Sequence, residues 1–169
     1  MIVSNETIVK EWFQVKRSAG ESSSFDLESF LPYRLSVTTN RVSRAFAAQY
    51  EQEFGISIPE WRAIAVLGAF APLSSNEICE RTAMDKAKVS RAVATLLKRG
   101  LIEREAHETD QRLIQLTLSK SGRKIYEAII PRARAIEAEV TKGLSKSDIA
   151  ALHRVLDCVG ARLDEIEAD

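Results

Sequence analysis

Between Asp85 and Gly100 the chain reads DKAKVSRAVATLLKRG, and five of these sixteen residues are Lys or Arg. Val89, Val93, Leu96 and Leu97 recur at the spacing of one helical face. With that stripe turned inward, Lys86, Lys88, Ser90, Arg91 and Thr95 project elsewhere. Their chemistry suits a polyanion carrying paired acceptors. An ammonium meets phosphate as a point charge, while the fork of Arg91 matches the O6 and N7 of guanine. Lys88 and Ser90 can read base edges or hold phosphates. The bland reading is a solvated helix face, which a basic helix by itself does not exclude.

The neighbouring elements decide between the two. Ser74 to Glu77, SSNE, has the spacing of a capping box and opens a short helix running to about Thr82. After a break at Ala83-Met84, Asp85 caps the basic helix and Gly100 stops it. Two helices about three residues apart, the second of them basic, have the form of a helix-turn-helix, whose second helix enters a major groove by its N-terminal half. Beyond Gly100 the period becomes two. Ile102, Ile114, Leu116 and Leu118 alternate with polar residues, and HETDQ lies between the two runs, which predicts a β-hairpin or wing. Arg112 lies just beyond that loop and Asp110 within it. An arginine at a hairpin tip suits a narrow minor groove, and a carboxylate can aim it. The plainer alternative is a loop ion pair of Asp110 with Arg104 or Arg112.

The rest of the chain divides around this lobe. Residues 1–25, with their SAGESSS run, read as a flexible N-terminal extension. Residues 26–58 read as one long helix from Ser29 to about Phe54, with Pro32 in its first turn and Gly55 at its end. Residues 59–118 form the lobe, where Pro59 opens EWRAIAVLGAF, apolar on nearly all sides and therefore central. Residues 119–169 hold two more helices. The first starts through Ser119 and runs to about Lys142 with a bend at Pro131. The second is capped by Ser145 and Asp148 and carries Ile149, Leu152, Leu156, Val159, Leu163 and Ile166 as one stripe. That stripe has to be buried, within one subunit or against a second copy.

Composition limits the function classes. The 169 residues are 45% hydrophobic and 28% charged, a globular balance, and the net charge is zero. The charge is unevenly spread, however. Residues 81–134 carry 13 Lys and Arg against 6 Asp and Glu, whereas 1–80 carry 7 against 10 and 135–169 carry 4 against 8. A basic middle between acidic flanks is the electrostatic footprint of a nucleic-acid-binding lobe. No run approaches the roughly 18 apolar residues of a membrane span, and the first residues do not resemble a signal peptide, so a cytoplasmic protein with no membrane partner is expected. Cys79 and Cys158 have no disulfide or CxxC spacing and read as inert small hydrophobes. His107 and His153 lack supporting ligands, so no metal site is expected. No P-loop, nucleophile elbow or dinucleotide fingerprint occurs, so neither catalysis nor a cofactor is expected. The rival to DNA recognition is a winged-helix protein-protein interaction module, which would more often show an apolar patch where this chain has Lys86, Lys88 and Arg91.

The stretch SSNEICERTAMDKAKVSRAVATLLKRGLIERE, the DQR at 110–112 and the LSKSG at 118–122 resemble the MarR family of transcriptional regulators, over about residues 29–167. The resemblance implies a mainly α fold with a small β-hairpin wing, that is, a winged helix-turn-helix with an α-helical dimerisation region. In it the first long helix and the last two interlock as a homodimer. It further implies double-stranded DNA as partner, a pseudo-palindromic operator and a repressor released by a small-molecule effector. DLESFLPYRLS, IPEWRAIAVLG and AMDKAKVSRAV are similar to the branch that senses hydroxycinnamoyl-coenzyme A thioesters. An aromatic acid or its CoA thioester would need an apolar slot and cations for phosphates, for which Tyr33, Arg34, Asn40, Arg41, Arg44 and Trp61 are the candidates.

Overall fold

Four helices begin where a side chain caps them. In the computed structural model, which describes residues 25–106 and 114–168, Ser74, Asp85, Ser119 and Ser145 each accept a backbone N–H from the residue three positions on. The described elements are α1 (Leu31–Ala47), α2 (Glu51–Phe54), α3 (Ile58–Phe70), α4 (Ser75–Thr82), α5 (Lys86–Lys98), β1 (Ile102–Ala106), β2 (Ile114–Leu118), α6 (Lys120–Val140) and α7 (Lys146–Ala168). The fold is mainly helical with one antiparallel hairpin, in which Ile102 pairs with Leu118 and Arg104 with Leu116. Leu73 exchanges two backbone hydrogen bonds with Leu116, so the α3–α4 connection is joined to β2 at one isolated antiparallel bridge.

The chain divides into two compact units, Met1–Arg132 and Ala133–Asp169. The core of the first gathers Ile64 and Leu67 of α3, Ile78 of α4, Leu96 of α5, Ile102 and Leu116 of the hairpin, and Ile129 of α6, all essentially without solvent contact. Each buried side chain of this size contributes roughly 1.5–3 kcal/mol. The wing is therefore fastened to the lobe by the same core that seats α5. In the second unit a turn at Gly143 (φ +87°) joins α6 to α7. Ser145 and Asp148 cap α7 reciprocally, the Ser145 N–H reaching the carboxylate at 2.9 Å. Leu152, Val155, Leu156, Leu163 and Ile166 of α7 all stay largely exposed in the single chain.

One expected element is corrected. The helix read as continuous to Phe54 stops at Ala47, and Ala48–Tyr50 forms a turn before the four residues of α2. Nothing local breaks it, because RAFAAQYEQEF is a good helix-forming run. The tertiary gain decides: the turn carries Tyr50 into the core, 1% exposed, with its ring 5.0 Å from Phe46 and 5.7 Å from Trp61. Aromatic pairs of this kind add about 0.5–1.5 kcal/mol each beyond area burial. Burial pushes the Tyr50 phenol up to about 12, with Glu51 acting in the same direction. Gly55 ends α2 as expected, at φ +60°.

A candidate nucleic-acid interface

The helix-turn-helix is set by its two caps. Ser74 accepts the Glu77 N–H at 3.3 Å while the Glu77 carboxylate takes the Ser74 N–H at 2.7 Å. Between the helices Ala83 sits in the left-handed region at φ 50°. Asp85 then accepts the Lys88 N–H at 2.7 Å and starts α5.

On α5 the inward stripe is Val89, Ala92, Val93 and Leu96, none above 7% exposed. Lys86, Lys88, Ser90, Arg91 and Thr95 are all exposed. The structure thus brings these five sequence candidates onto the outer surface of one helix. Their states differ. The Lys88 ammonium lies 3.0 Å from the Asp85 carboxylate, and the Thr95 hydroxyl donates to the Arg91 carbonyl at 3.0 Å. Lys86 and Arg91 form no ion pair among the described residues. Asp110 and Arg112, the wing-tip candidates, lie outside the described residues, as does His107.

The Asp85 carboxyl is held below its ordinary value of 3.8, first by the Lys88 backbone N–H and then by the Lys88 side chain. Its folded value being the lower, the cap's contribution is fully present above 3.8 and is lost as pH falls through the folded value. Acid titration followed by far-UV circular dichroism should therefore show a loss of helix below that value that Asp85→Asn reduces. An identical titration in both proteins would remove the cap from the account.

Sequence reasoning gave Arg104 only a loop ion pair. In the structure Arg104 joins Lys86 and Ser90 around a cleft of about 320 Å³ between α4, α5 and β1, floored by Val89, Val93 and Cys79. Counting by twos from the buried Ile102 places Arg104 on the same face of β1, and that alternation was the available signal. Arg104 also has no ion-pair partner among the described residues. The cleft therefore presents two cations over an apolar floor, beside the exposed side of α5. Burial raises the Cys79 thiol, with the Lys86 charge opposing, so the thiolate is disfavoured.

The base of the wing is fixed by two hydroxyls. Ser119 and Ser121 both donate to the Gly100 carbonyl at 2.7 Å, and the Ser119 N–H donates to the Leu101 carbonyl at 3.1 Å. This joint ties the end of α5, the start of β1 and the first turn of α6 together.

The candidates for effector contact separate into two groups. Tyr33, Arg34, Asn40, Arg41 and Arg44 are exposed along α1. Trp61 is buried at 8%, with its ring stacked 6.2 Å from Tyr126 and edge-on to Phe46 at 5.5 Å. Among the described residues no group of three or more His, Cys, Asp or Glu could hold a metal ion, and no helix is long and apolar enough to cross a membrane.

A family model described as MarR family matches residues 54–113. A solved chain of Pseudomonas aeruginosa, described as a probable transcriptional regulator, is 30% identical and superposes with a TM-score of 0.67, over 79% of this chain and 98% of that one. A MarR/EmrR family transcriptional regulator from Acinetobacter sp. ADP1 is 27% identical over 79% of this chain and 94% of its own, with a TM-score of 0.74. The HTH-type transcriptional regulator TcaR of Staphylococcus aureus is 26% identical over 126 residues, 73% of this chain and 83% of TcaR. The matched family segment covers the capped helix pair and reaches the wing, and the relatives agree with it over most of their length: this chain belongs to the MarR family of winged-helix transcriptional regulators.

Proposed function

We propose that the chain acts in the cytoplasm as a homodimeric, ligand-responsive repressor that binds a pseudo-palindromic operator. The observation that carries this reading is the capped, exposed basic face of α5. Lys86, Lys88, Ser90, Arg91 and Thr95 meet the major groove, with Arg91 forked to a guanine, and the wing with Asp110 and Arg112 serves the adjacent minor groove. Arg104 and Lys86 add cations for the phosphate strand that runs between the two grooves. A fold-mate from Listeria monocytogenes, 17% identical with a TM-score of 0.75, was solved complexed with 26mer DNA, which supports the DNA reading.

Dimerisation is supported by apolar surface with no cover. Leu31, Tyr33, Val37 and Val42 of α1 and the α7 residues Leu152, Val155, Leu156, Leu163 and Ile166 are each between about a third and a half exposed. On α7 these residues recur along one face of the helix, and an apolar stripe of that length calls for a partner in water. Two copies would present their α5 helices about one DNA turn apart.

The effector is a small aromatic acid or its CoA thioester, with Tyr33, Arg34, Asn40, Arg41, Arg44 and Trp61 as contacts. Cations along α1 suit phosphates or a carboxylate. Bordetella bronchiseptica BpsR, 20% identical and similar in fold, is regulated in DNA binding by 6-hydroxynicotinic acid. Release then requires that the effector bind the DNA-incompetent form more tightly than the competent one.

Fluorescence anisotropy on duplex from upstream of the chain's own gene, with excess unrelated DNA at about 0.05 and 0.2 M salt, tests the reading. Saturable, competitor-resistant binding that falls steeply with salt is expected, together with a dimer in sedimentation. Binding no better than to the unrelated duplex, there and across a pooled genomic library, would overturn it.

A further inference from the structure

The segment Ala48–Gly55, where the first helix departs from its expected course, is held from two other elements. Arg99, the residue that ends α5, donates Nη2 to the Phe54 carbonyl and Nη1 to the Gly55 carbonyl, both at 2.7 Å. The same Nη1 lies 3.9 Å from Oε2 of Glu60, a carboxylate only 9% exposed as a residue, whose Oε2 takes the Ser57 N–H at 2.8 Å at the start of α3. Arg132 on α6 donates Nη1 to the Gln49 carbonyl at 2.8 Å and sets Nη2 2.6 Å from the Glu53 carboxylate. Its guanidinium also stands 5.1 Å from the centre of the Phe54 ring.

The corner consists of groups that need such donors. The last carbonyls of a four-residue helix have almost no partners of their own and form its negative end. A planar guanidinium fork satisfies two of them in one fixed direction, which an ammonium cannot do. Both terminal nitrogens of Arg99 are thereby engaged by the corner, which directs its charge there. Arg99 links the end of the DNA-facing helix to the corner where α1 turns toward α3. The lever is long enough to matter. Thirteen residues of helix span roughly 20 Å, so a tilt of about 10° at the Arg99 end moves the other end by about 3 Å, close to one base-pair step.

We propose that Arg99 and Arg132 are positioning residues: by gripping one helical corner from α5 and from α6 they set the direction of α5 relative to α1, and hence the half-site spacing the regulator accepts. This rests on the dimeric DNA-binding reading above. In that reading α1 belongs to the dimer region, so the angle between α1 and α5 fixes the distance between the two recognition helices.

The test uses the full chain and DNA of its own choosing. The wild-type chain first enriches a preferred duplex from a random-sequence pool. Its affinity is then measured on that duplex and on versions with one base pair inserted or removed between the half-sites, beside Arg99→Lys and Arg132→Lys. Wild type should lose about tenfold or more on the altered spacings. The lysine variants keep the charge and lose the fork. They should bind the preferred duplex several-fold more weakly and discriminate between spacings by less than about threefold, with the wild-type salt slope and near-native circular dichroism. A contact of Arg99 with phosphate would instead weaken the preferred and the altered duplexes by the same factor and leave the wild-type spacing preference in place, which would overturn the proposal. Unaltered spacing preference in both variants would overturn it too. Should Arg99→Lys melt below the assay temperature, Arg132→Lys carries the same comparison. A wild-type chain that enriches no sequence removes the DNA-binding reading and this inference with it, whereas an enriched site with spacing-insensitive variants absent removes only the positioning role.

Discussion

Gly122→Ala lowers the thermal midpoint by roughly 10 °C. Gly122 is buried in the first turn of α6, and a Cβ built on it would stand 1.9 Å from the Leu101 carbonyl oxygen and 2.9 Å from its carbon. Both are backbone atoms, so no side-chain rotation relieves the overlap. The start of β1 would have to move away from α6. That motion breaks the Ser119 N–H bond to Leu101 and strains the two hydroxyl bonds to Gly100 described above. Overpacking a fixed joint of this kind costs about 3 kcal/mol. At roughly 2–4 °C per kcal/mol for a chain of this size, the shift follows. Thermal denaturation followed by circular dichroism measures it directly. A midpoint within 2 °C or so of wild type would mean that the wing joint yields far more readily than its hydrogen bonds imply.

Lys88→Glu with Arg91→Glu abolishes DNA binding and leaves the fold intact. The second half of that statement is the discriminating one. Both side chains are exposed, and the first turn of α5 contains no acidic residue. A carboxylate at position 88 gives up the solvent-exposed ion pair with Asp85, worth under about 1 kcal/mol, and stands near the positive end of the helix, which offsets that loss. The Asp85 cap uses the backbone N–H of residue 88 and survives the exchange of side chain. On the DNA side, each lost base or charged contact is worth about 1–3 kcal/mol, and a dimer loses two pairs of them. A weakening of at least about a thousandfold is expected, with a shallower salt dependence in whatever binding remains. Retained affinity in the doubly reversed protein would remove α5 from the groove and leave the wing or another surface to carry recognition.

Much of the lobe was legible because its signals are local. Ser74, Asp85, Ser119 and Ser145 announce helix starts through side-chain chemistry that depends on three or four neighbouring residues, and each helix begins within a residue of its cap. The change from a helical period to alternation after Gly100 likewise marks the wing within a few residues. The turn at Ala48–Tyr50 was not legible, since it is imposed by the packing of Tyr50 on Trp61 and by the carbonyl bonds from Arg99 and Arg132, which no local pattern announces. For the same reason the polar face of α5 could be listed from spacing alone, while the cleft that adds Arg104 required the wing strand to be laid beside α4 and α5. Pro59 marks the start of α3 in the sequence, and the Ser57–Glu60 pair at capping distance sets it one residue earlier, at Ile58.

The turn of the helix-turn-helix holds Ala83 at φ 50°, a conformation in which an L-residue with a Cβ loses roughly 1–2 kcal/mol. Glycine would remove that penalty. It would also enlarge the ensemble of the unfolded chain, an entropic loss of about 0.4–1 kcal/mol on folding. The second term offsets only about half of the first, so alanine stays the costlier residue at this bend by about 0.5–1 kcal/mol. The angle between the two helices is thus enforced by Ile78, Val89 and their neighbours in the core and by the caps on either side, with no help from the residue at the bend. In thermodynamic terms the bend is a property of the assembled lobe: the isolated α4–α5 segment would have little reason to keep it.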